Sequence, residues 1–398
     1  MTERKESWIS IAKAVALILV IFIHSTPRDA LSGYLTGFVM PAFFILYGVS
    51  HNTRKCRYNL RKYIVNRARS LMIPYFVLNL VMILIYAVVY PQVNYGYAPV
   101  DVFFWILYGN GPVGKVNHLW FLRTMFFAII LFSIVDRFLH DKSITNRIAI
   151  AAIAPGIGVM LKFGLGFTLV PWGLDSILIA FSFMLIGSEI RRFRHLSPWS
   201  VNRHVDAIGL VGAFIVYSII TIMNGFVNIG ESIYGVSIYN YMITGILGTY
   251  IVCLLSFYAG KLSGTLSRYA TSFNNIGQEV YEIHPLLIVI IWQLLGGLDI
   301  WLVFPIEIAS FALAIFLPSL FALYIISRVG ILQVIFLGLR KTETGHPRPA
   351  FPVPEPNGDN GGECMEEQVI ELVMKTRTIP EDQVDDLKIN NLNAKNDH

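Results

Sequence analysis

Charged residues are scarce in this chain, at 14% of 398 residues, which excludes an ordinary soluble domain, where about 25% is usual. Cysteine is scarcer still. Cys56, Cys253 and Cys364 are scattered, so the sequence has neither a disulfide framework nor a metal-ligand spacing. No internal repeat is visible, and no pair of Gly/Pro-broken apolar segments recurs in matching halves, as in many secondary transporters. Acidic residues are sparse until the C-terminal end. There, residues 341–398 hold six Lys/Arg and twelve Asp/Glu, so the chain before them carries +11 within an overall +5.

Apolar residues are abundant instead, at 55%, with a mean hydropathy of +0.59. They gather into ten segments, about 8–26, 33–50, 71–90, 118–138, 146–163, 173–190, 204–223, 238–259, 280–298 and 302–326. Most are long enough to cross a bilayer as a helix, which predicts an all-α, polytopic membrane helix bundle. The stretch Val102–Tyr108 is too brief to span and reads as re-entrant or interfacial. The first segment follows Arg4 and Lys5 as a signal peptide would. No small-residue cleavage site follows it, so it is expected to stay as a helix.

Basic residues set the orientation. With the N-terminus in the cytoplasm, twenty-one Lys/Arg fall on inside loops, against Arg28, Lys115 and Lys162 outside. That bias predicts ten spans with both termini cytoplasmic. It is a topological signal, and the basic surface does not argue for nucleic acid. The tail, 341–398, reads as a separate, mostly flexible cytoplasmic region. Residues 345–362 form a Pro/Gly/Asn/Asp-rich linker, and Thr378–Glu381 resembles a capping box.

The chemistry-bearing residues lie at membrane depth, where ionisable groups are costly and usually face a polar cavity or pathway. Lys13 and His24 sit in the first segment eleven residues apart, three turns plus about 20°, so they share one helix face about 16 Å apart. Lys13 reads either as a snorkelling lysine or as a cation facing a site. His24 reads either as an interfacial histidine donating to a carbonyl or as a titratable base. At the entry to the third segment, Lys62–Tyr75 carries Arg67 and Arg69. These are either topology determinants or a grip for a phosphorylated cytoplasmic ligand.

Asn117-His118-Leu-Trp120-Phe121-Leu122-Arg123 opens the fourth segment. Trp120 suits an aromatic belt, whereas anchoring requires neither His118 nor Arg123. A buried Arg123 is expected to pair with Asp175 or Glu307, as a structural ion pair or as the lining of a substrate vestibule. Ile276–Pro285 lies at the cytoplasmic start of the ninth segment. It puts Tyr281 and His284 on one face, and Pro285 frees a carbonyl nearby. From these residues alone, an enzyme and a transporter both stay open.

At these positions the chain resembles the acyltransferase-3 family of integral membrane acyltransferases, in particular its fucose 4-O-acetylase-like branch. Lys13-x10-His24 fills the family's Arg-x10-His spacing in the first helix. Phe38-Val-Met-Pro41-Ala-Phe43-Phe44-Ile-Leu-Tyr-Gly48 matches its second phrase, and the basic run Lys62–Tyr75 its third. Asn117–Leu122, Phe183–Gly187 and Gly277–Pro285 follow in order, so the likeness covers about residues 5–330. Three positions depart from the pattern. Lys13 keeps the charge without the bidentate fork of Arg, Ser70 replaces a frequent second Arg, and Val39 replaces a His.

The resemblance implies transfer of an acyl group, usually acetyl from cytoplasmic acetyl-CoA, to a hydroxyl of an extracytoplasmic or lipid-linked carbohydrate. That would take place at the plasma (inner) membrane, with no tightly bound cofactor and no metal. It implies His24 as catalytic base, with a transient acyl carrier as the lesser alternative, Lys13, Arg67 and Arg69 on the CoA side, and His118 and Trp120 on the acceptor side. Arg123, Asp175 and Glu307 are candidates for the same vestibule. A polysaccharide exporter or flippase is the alternative, and a sensor or scaffold with a recruiting tail is a third.

Overall fold

In hydrocarbon every backbone N–H and C=O must be satisfied within its own segment, so the apolar segments fold as helices. The computed structural model describes residues 3–26, 30–51, 60–89, 104, 106–110, 117–139, 142–166, 169–194, 203–295 and 303–338. The tail 341–398 and, of the stretch 102–108, residues 102, 103 and 105 lie outside the described residues. In chain order the first helices are α1 (Glu3–Ser25), α2 (Ala30–Thr36), α3 (Val39–Ser50), α4 (Leu60–Val89), α5 (Trp120–Leu139), α6 (Ile144–Gly164) and α7 (Leu174–Arg194). There follow α8 (Arg203–Asn224), α9 (Ile238–Leu262), α10 (Gly264–Asn274), α11 (Gly277–Leu295), α12 (Val303–Phe321) and α13 (Gly330–Leu337). Between α8 and α9 a small antiparallel hairpin pairs β1 (Val227–Asn228) with β2 (Ile233–Tyr234).

The chain is a multi-pass, all-α bundle. Among the described residues, seven candidate spans are long and apolar enough to cross a membrane, and these lie on α1, on α2–α3 together, and on α6, α7, α8, α9 and α12. The other three apolar segments of the sequence are helical as well, on α4, α5 and α11. Two of these helices carry charge at intervals: Arg123, Asp136 and Arg137 on α5, and Glu279 and Glu282 on α11. Helix α8 turns Ile208, Val211, Phe214, Ile219 and Ile222 outward, as a lipid-facing helix does. Helix α1 has the opposite surroundings, packing against α3, α9, α10, α11 and α12.

Two glycines bring α3 and α7 together. A Cβ at Gly48 would fall 2.0 Å from the Met184 carbonyl oxygen, and one at Gly187 would fall 2.1 Å from that of Ile45. Helices in hydrocarbon associate by close backbone approach at small residues, so these positions have no room for a side chain. The phrases that end in Gly48 and Gly187 are therefore a packing surface.

A buried ion network ties α5, α6 and α7. Arg147, counted in the sequence among the loop cations, is fully buried. It donates to Asp136 at 2.8 Å, to Ser188 at 2.9 Å, to the Leu139 carbonyl at 3.1 Å, and to Glu189.

The ninth segment sits higher against α1 than its sequence position implies. Gly277 lies beside Leu17, and His284 meets His24. Helix α10, opened by the N-cap Ser263, occupies the N-terminal half of α1 instead. Its Ala270 packs on Ile11 and Ala14, and Asn274 Nδ2 donates to the Ser10 carbonyl at 2.7 Å. Helix α11 therefore begins beside the middle of α1, and the Tyr281–Pro285 stretch is level with the last turns of α1.

Candidate active site

Helix α1 supplies His24 in its last turn, and the ring is exposed. Its Nδ1 lies 2.8 Å from Nε2 of His284, which is completely buried. The ring centroids are 5.0 Å apart with 13° between planes. A distance of 2.8 Å is too short for stacked faces, and the centroid separation is that distance plus one ring radius on each side. The imidazoles therefore meet edge to edge, nearly coplanar. His284 Nδ1 faces the Val280 carbonyl at 3.1 Å, and the Tyr281 carbonyl lies beside it. Pro285 has no N–H, so the Tyr281 carbonyl lacks its normal helical donor.

His118, in the 3-10 turn Asn117–Leu119 before α5, is buried and joins the same group. Its Nε2 donates to the Glu282 carbonyl at 3.1 Å, and the Tyr281 hydroxyl donates back to the His118 carbonyl. These reciprocal bonds strap the start of α5 to α11. Nδ1 of His118 is a buried acceptor with no hydrogen-bond partner. On the far side of α11, Gln278 Nε2 reaches the Glu282 carboxylate at 2.9 Å and the carbonyls of Ser70 and Phe336 at 3.0 and 2.8 Å. This locks α11 against α4 and α13. Among the described residues, no group of three or more His, Cys, Asp or Glu side chains is arranged to hold a metal ion.

Lys13 is buried at 6% exposure and lines a cleft with Leu17, Phe43, Phe121, Gly277 and Tyr281. Arg67 is its cationic neighbour. The Arg67 guanidinium lies 5.3 Å from the Tyr63 ring centroid, and the Tyr63 hydroxyl bonds that of Tyr47. Tyr281, which lines the same cleft, touches His118 and lies 5.9 Å ring to ring from His284.

A family model for an acyltransferase domain, that of acyltransferase-3, matches residues 6–328. The chain belongs to the acyltransferase-3 family. It is a membrane acyltransferase, and the match takes in His24, His118, His284, Lys13, Arg67 and Tyr281. No curated protein and no solved structure matches the chain.

In this acyltransferase the other expected site residues separate. Arg69 is exposed, and its carbonyl backs onto the left-handed Gly338 that ends α13. Trp120 packs over Gly230 in the turn between β1 and β2, where a Cβ would fall 2.5 Å from the indole. Glu307 is half-buried near the start of α12.

The expected ion pair of Arg123 does not form. Among the described residues no carboxylate lies within 4.0 Å of its guanidinium. Arg123 donates instead to Asn110 Oδ1 at 3.2 Å and Thr124 Oγ1 at 3.3 Å. Asp175 is engaged elsewhere, accepting from Ser232 Oγ at 2.5 Å and from the Tyr234 hydroxyl. It fastens the hairpin to the start of α7, so the hairpin competes successfully for the carboxylate.

The sequence reading leaves His284 and Glu282 out of the site, along with Tyr47 and Tyr63, which meet beside Arg67. The signal for His284 was present in the shared face with Tyr281 and in Pro285. Assigning that stretch to the cytoplasmic side, away from His24, hides the contact between them.

Proposed function

We propose that this acyltransferase moves an acyl group, acetyl foremost, from cytoplasmic acyl-CoA to a hydroxyl of an extracytoplasmic or lipid-linked carbohydrate. One observation carries the reading: a buried cation and an exposed, hydrogen-bonded histidine sit three turns apart on α1, and Tyr281, which lines the small cleft beside Lys13, bonds to His118 and lies next to His284. About 16 Å of helix is comparable to an extended pantetheine arm, so a donor held beside Lys13 and Arg67 presents its thioester near His24. The proposal includes ten spans with cytoplasmic termini in the plasma (inner) membrane, and 341–398 as a separate cytoplasmic tail.

In the reaction His24 takes the proton of the acceptor hydroxyl as its oxygen attacks the thioester carbonyl. The C–S bond then breaks, and the protonated His24 returns the proton to the departing CoA thiolate. Lys13 and Arg67 hold donor phosphates, with Arg69 at the exposed approach. His118 and Trp120 shape the acceptor side, and Arg123, Asp175 and Glu307 support its walls. Family membership favours this chemistry over an exporter.

Inside-out vesicles loaded in their lumen with surface glycan from the native host, and given labelled acetyl-CoA outside, test the reading. Label should enter glycan with the wild type and not with His24→Ala. Equal transfer by an intact His24→Ala protein removes His24 from the mechanism. No transfer by the wild type removes acetyl-CoA as donor.

A further inference from the structure

The bond between His24 and His284 has a direction, and the chain's own carbonyls set it. A carbonyl only accepts, so His284 Nδ1, at 3.1 Å from the Val280 oxygen, must carry its hydrogen. In a neutral imidazole the other nitrogen is then bare, and that nitrogen is the one facing His24 at 2.8 Å. Two bare nitrogens do not face each other at that distance. With both rings neutral, the proton between them belongs to His24 Nδ1. The lone pair of His24 is thereby left on Nε2, and the ring that bears it is the exposed one.

We infer that His284 is a positioning residue that holds His24 in the Nδ1–H tautomer, so that Nε2 is the nitrogen that takes the hydroxyl proton. The tautomer stands on the geometry alone. The last step rests on His24 being the base of the proposed reaction. When that step occurs, the hydroxyl proton moves to Nε2 while Nδ1–H stays bonded to His284, so the imidazolium forms without turning its ring. The leaving thiolate then takes the same Nε2 proton, and His24 returns to the starting tautomer. Burial of His284 fixes its ring, and the Val280 bond fixes which way the pair is polarised. An outer partner that orients a working histidine is commonly worth about 10–100-fold.

The test uses the full chain in liposomes, labelled with 15N-histidine, and needs no substrate for its first arm. Solid-state NMR should show one protonated and one bare ring nitrogen for His24, assigned by their loss in His24→Ala, with Nδ1 the protonated one. A scalar coupling across the N–H···N bond to His284 should disappear in His284→Leu. The second arm measures transfer from labelled acetyl-CoA to native glycan. His284→Leu should lower kcat about 100-fold while donor KM stays within about 2-fold. His284→Gln, whose side-chain oxygen offers an acceptor in place of Nε2, should recover most of the loss. A wild-type His24 protonated on Nε2 overturns the inference, and so does wild-type kcat in His284→Leu. A wild type that shows the stated tautomer yet transfers no acetyl overturns the proposed donor and leaves the assignment of His284 standing.

Discussion

His24 Nδ1 and His284 Nε2 stand 2.8 Å apart although 260 residues separate them in sequence. If His284 acts through His24, removing it matters only while His24 is present. The double variant His24→Ala/His284→Leu should therefore transfer no more slowly than His24→Ala alone, while each single change is costly. Residues that work as a unit show this non-additivity. Additive losses in the double-mutant cycle would mean that His284 serves the reaction independently.

Lys13 is separable from that pair. It lies three turns from His24 on α1, near Arg67, where it touches the donor in the proposed reaction and not the reacting atoms. Lys13→Met should raise the KM for acetyl-CoA about 10-fold and leave kcat within about 3-fold, the signature of lost uniform binding. Lys13→Arg keeps the charge and should stay near the wild type. Initial rates against acetyl-CoA concentration decide the matter. A fall in kcat with unchanged KM would place Lys13 in the chemical step instead.

The sequence was most readable where one physical cause acts alone. Long apolar runs have a single solution in hydrocarbon, so each of the ten segments is helical where the residues are described. Lys13 and His24 were found together because they share a helix, whose period is fixed. Contacts between helices were legible only in part. His118 and the Tyr281–Pro285 stretch stand out by residue type, but their meeting depends on the level at which α11 starts beside α1, which no local pattern states. Arg123 and Arg147 show the same limit. Both are buried cations, yet Arg147 found two carboxylates and Arg123 an amide and a hydroxyl. The carboxylate expected for Arg123 was taken by Ser232 and Tyr234, from a hairpin with too few residues to announce itself.

The Arg147 network yields a stability prediction. Arg147→Met would leave Asp136 and Glu189 buried without their cation, and breaking a buried pair from one side commonly costs about 3–5 kcal/mol. Its thermal midpoint in detergent should drop well below that of the wild type. Arg192 reaches the same Glu189 at 3.5 Å from an exposed position, so Arg192→Ala should cost about 1 kcal/mol or less. Melting curves followed by size-exclusion chromatography separate the two. Equal behaviour would mean that burial does not govern the network.

The α3–α7 crossing gives the last test. Phe38–Gly48 and Phe183–Gly187 resemble family phrases, and both end on glycines with no space for a methyl group. Gly187→Ala would drive a Cβ to 2.1 Å from the Ile45 carbonyl oxygen, which is rigid backbone, so the helices must separate. Overpacking of this kind commonly costs about 1–3 kcal/mol. Gly212 on α8 is the control, because a Cβ there meets nothing within 4 Å. Gly212→Ala should be neutral or slightly stabilising, since glycine inside a helix costs about 1 kcal/mol relative to alanine. A lower melting temperature for Gly187→Ala and not for Gly212→Ala shows that the phrase exists for packing. If Gly187→Ala melts like the wild type but loses transfer, the phrase belongs to the site, and the crossing is incidental to it.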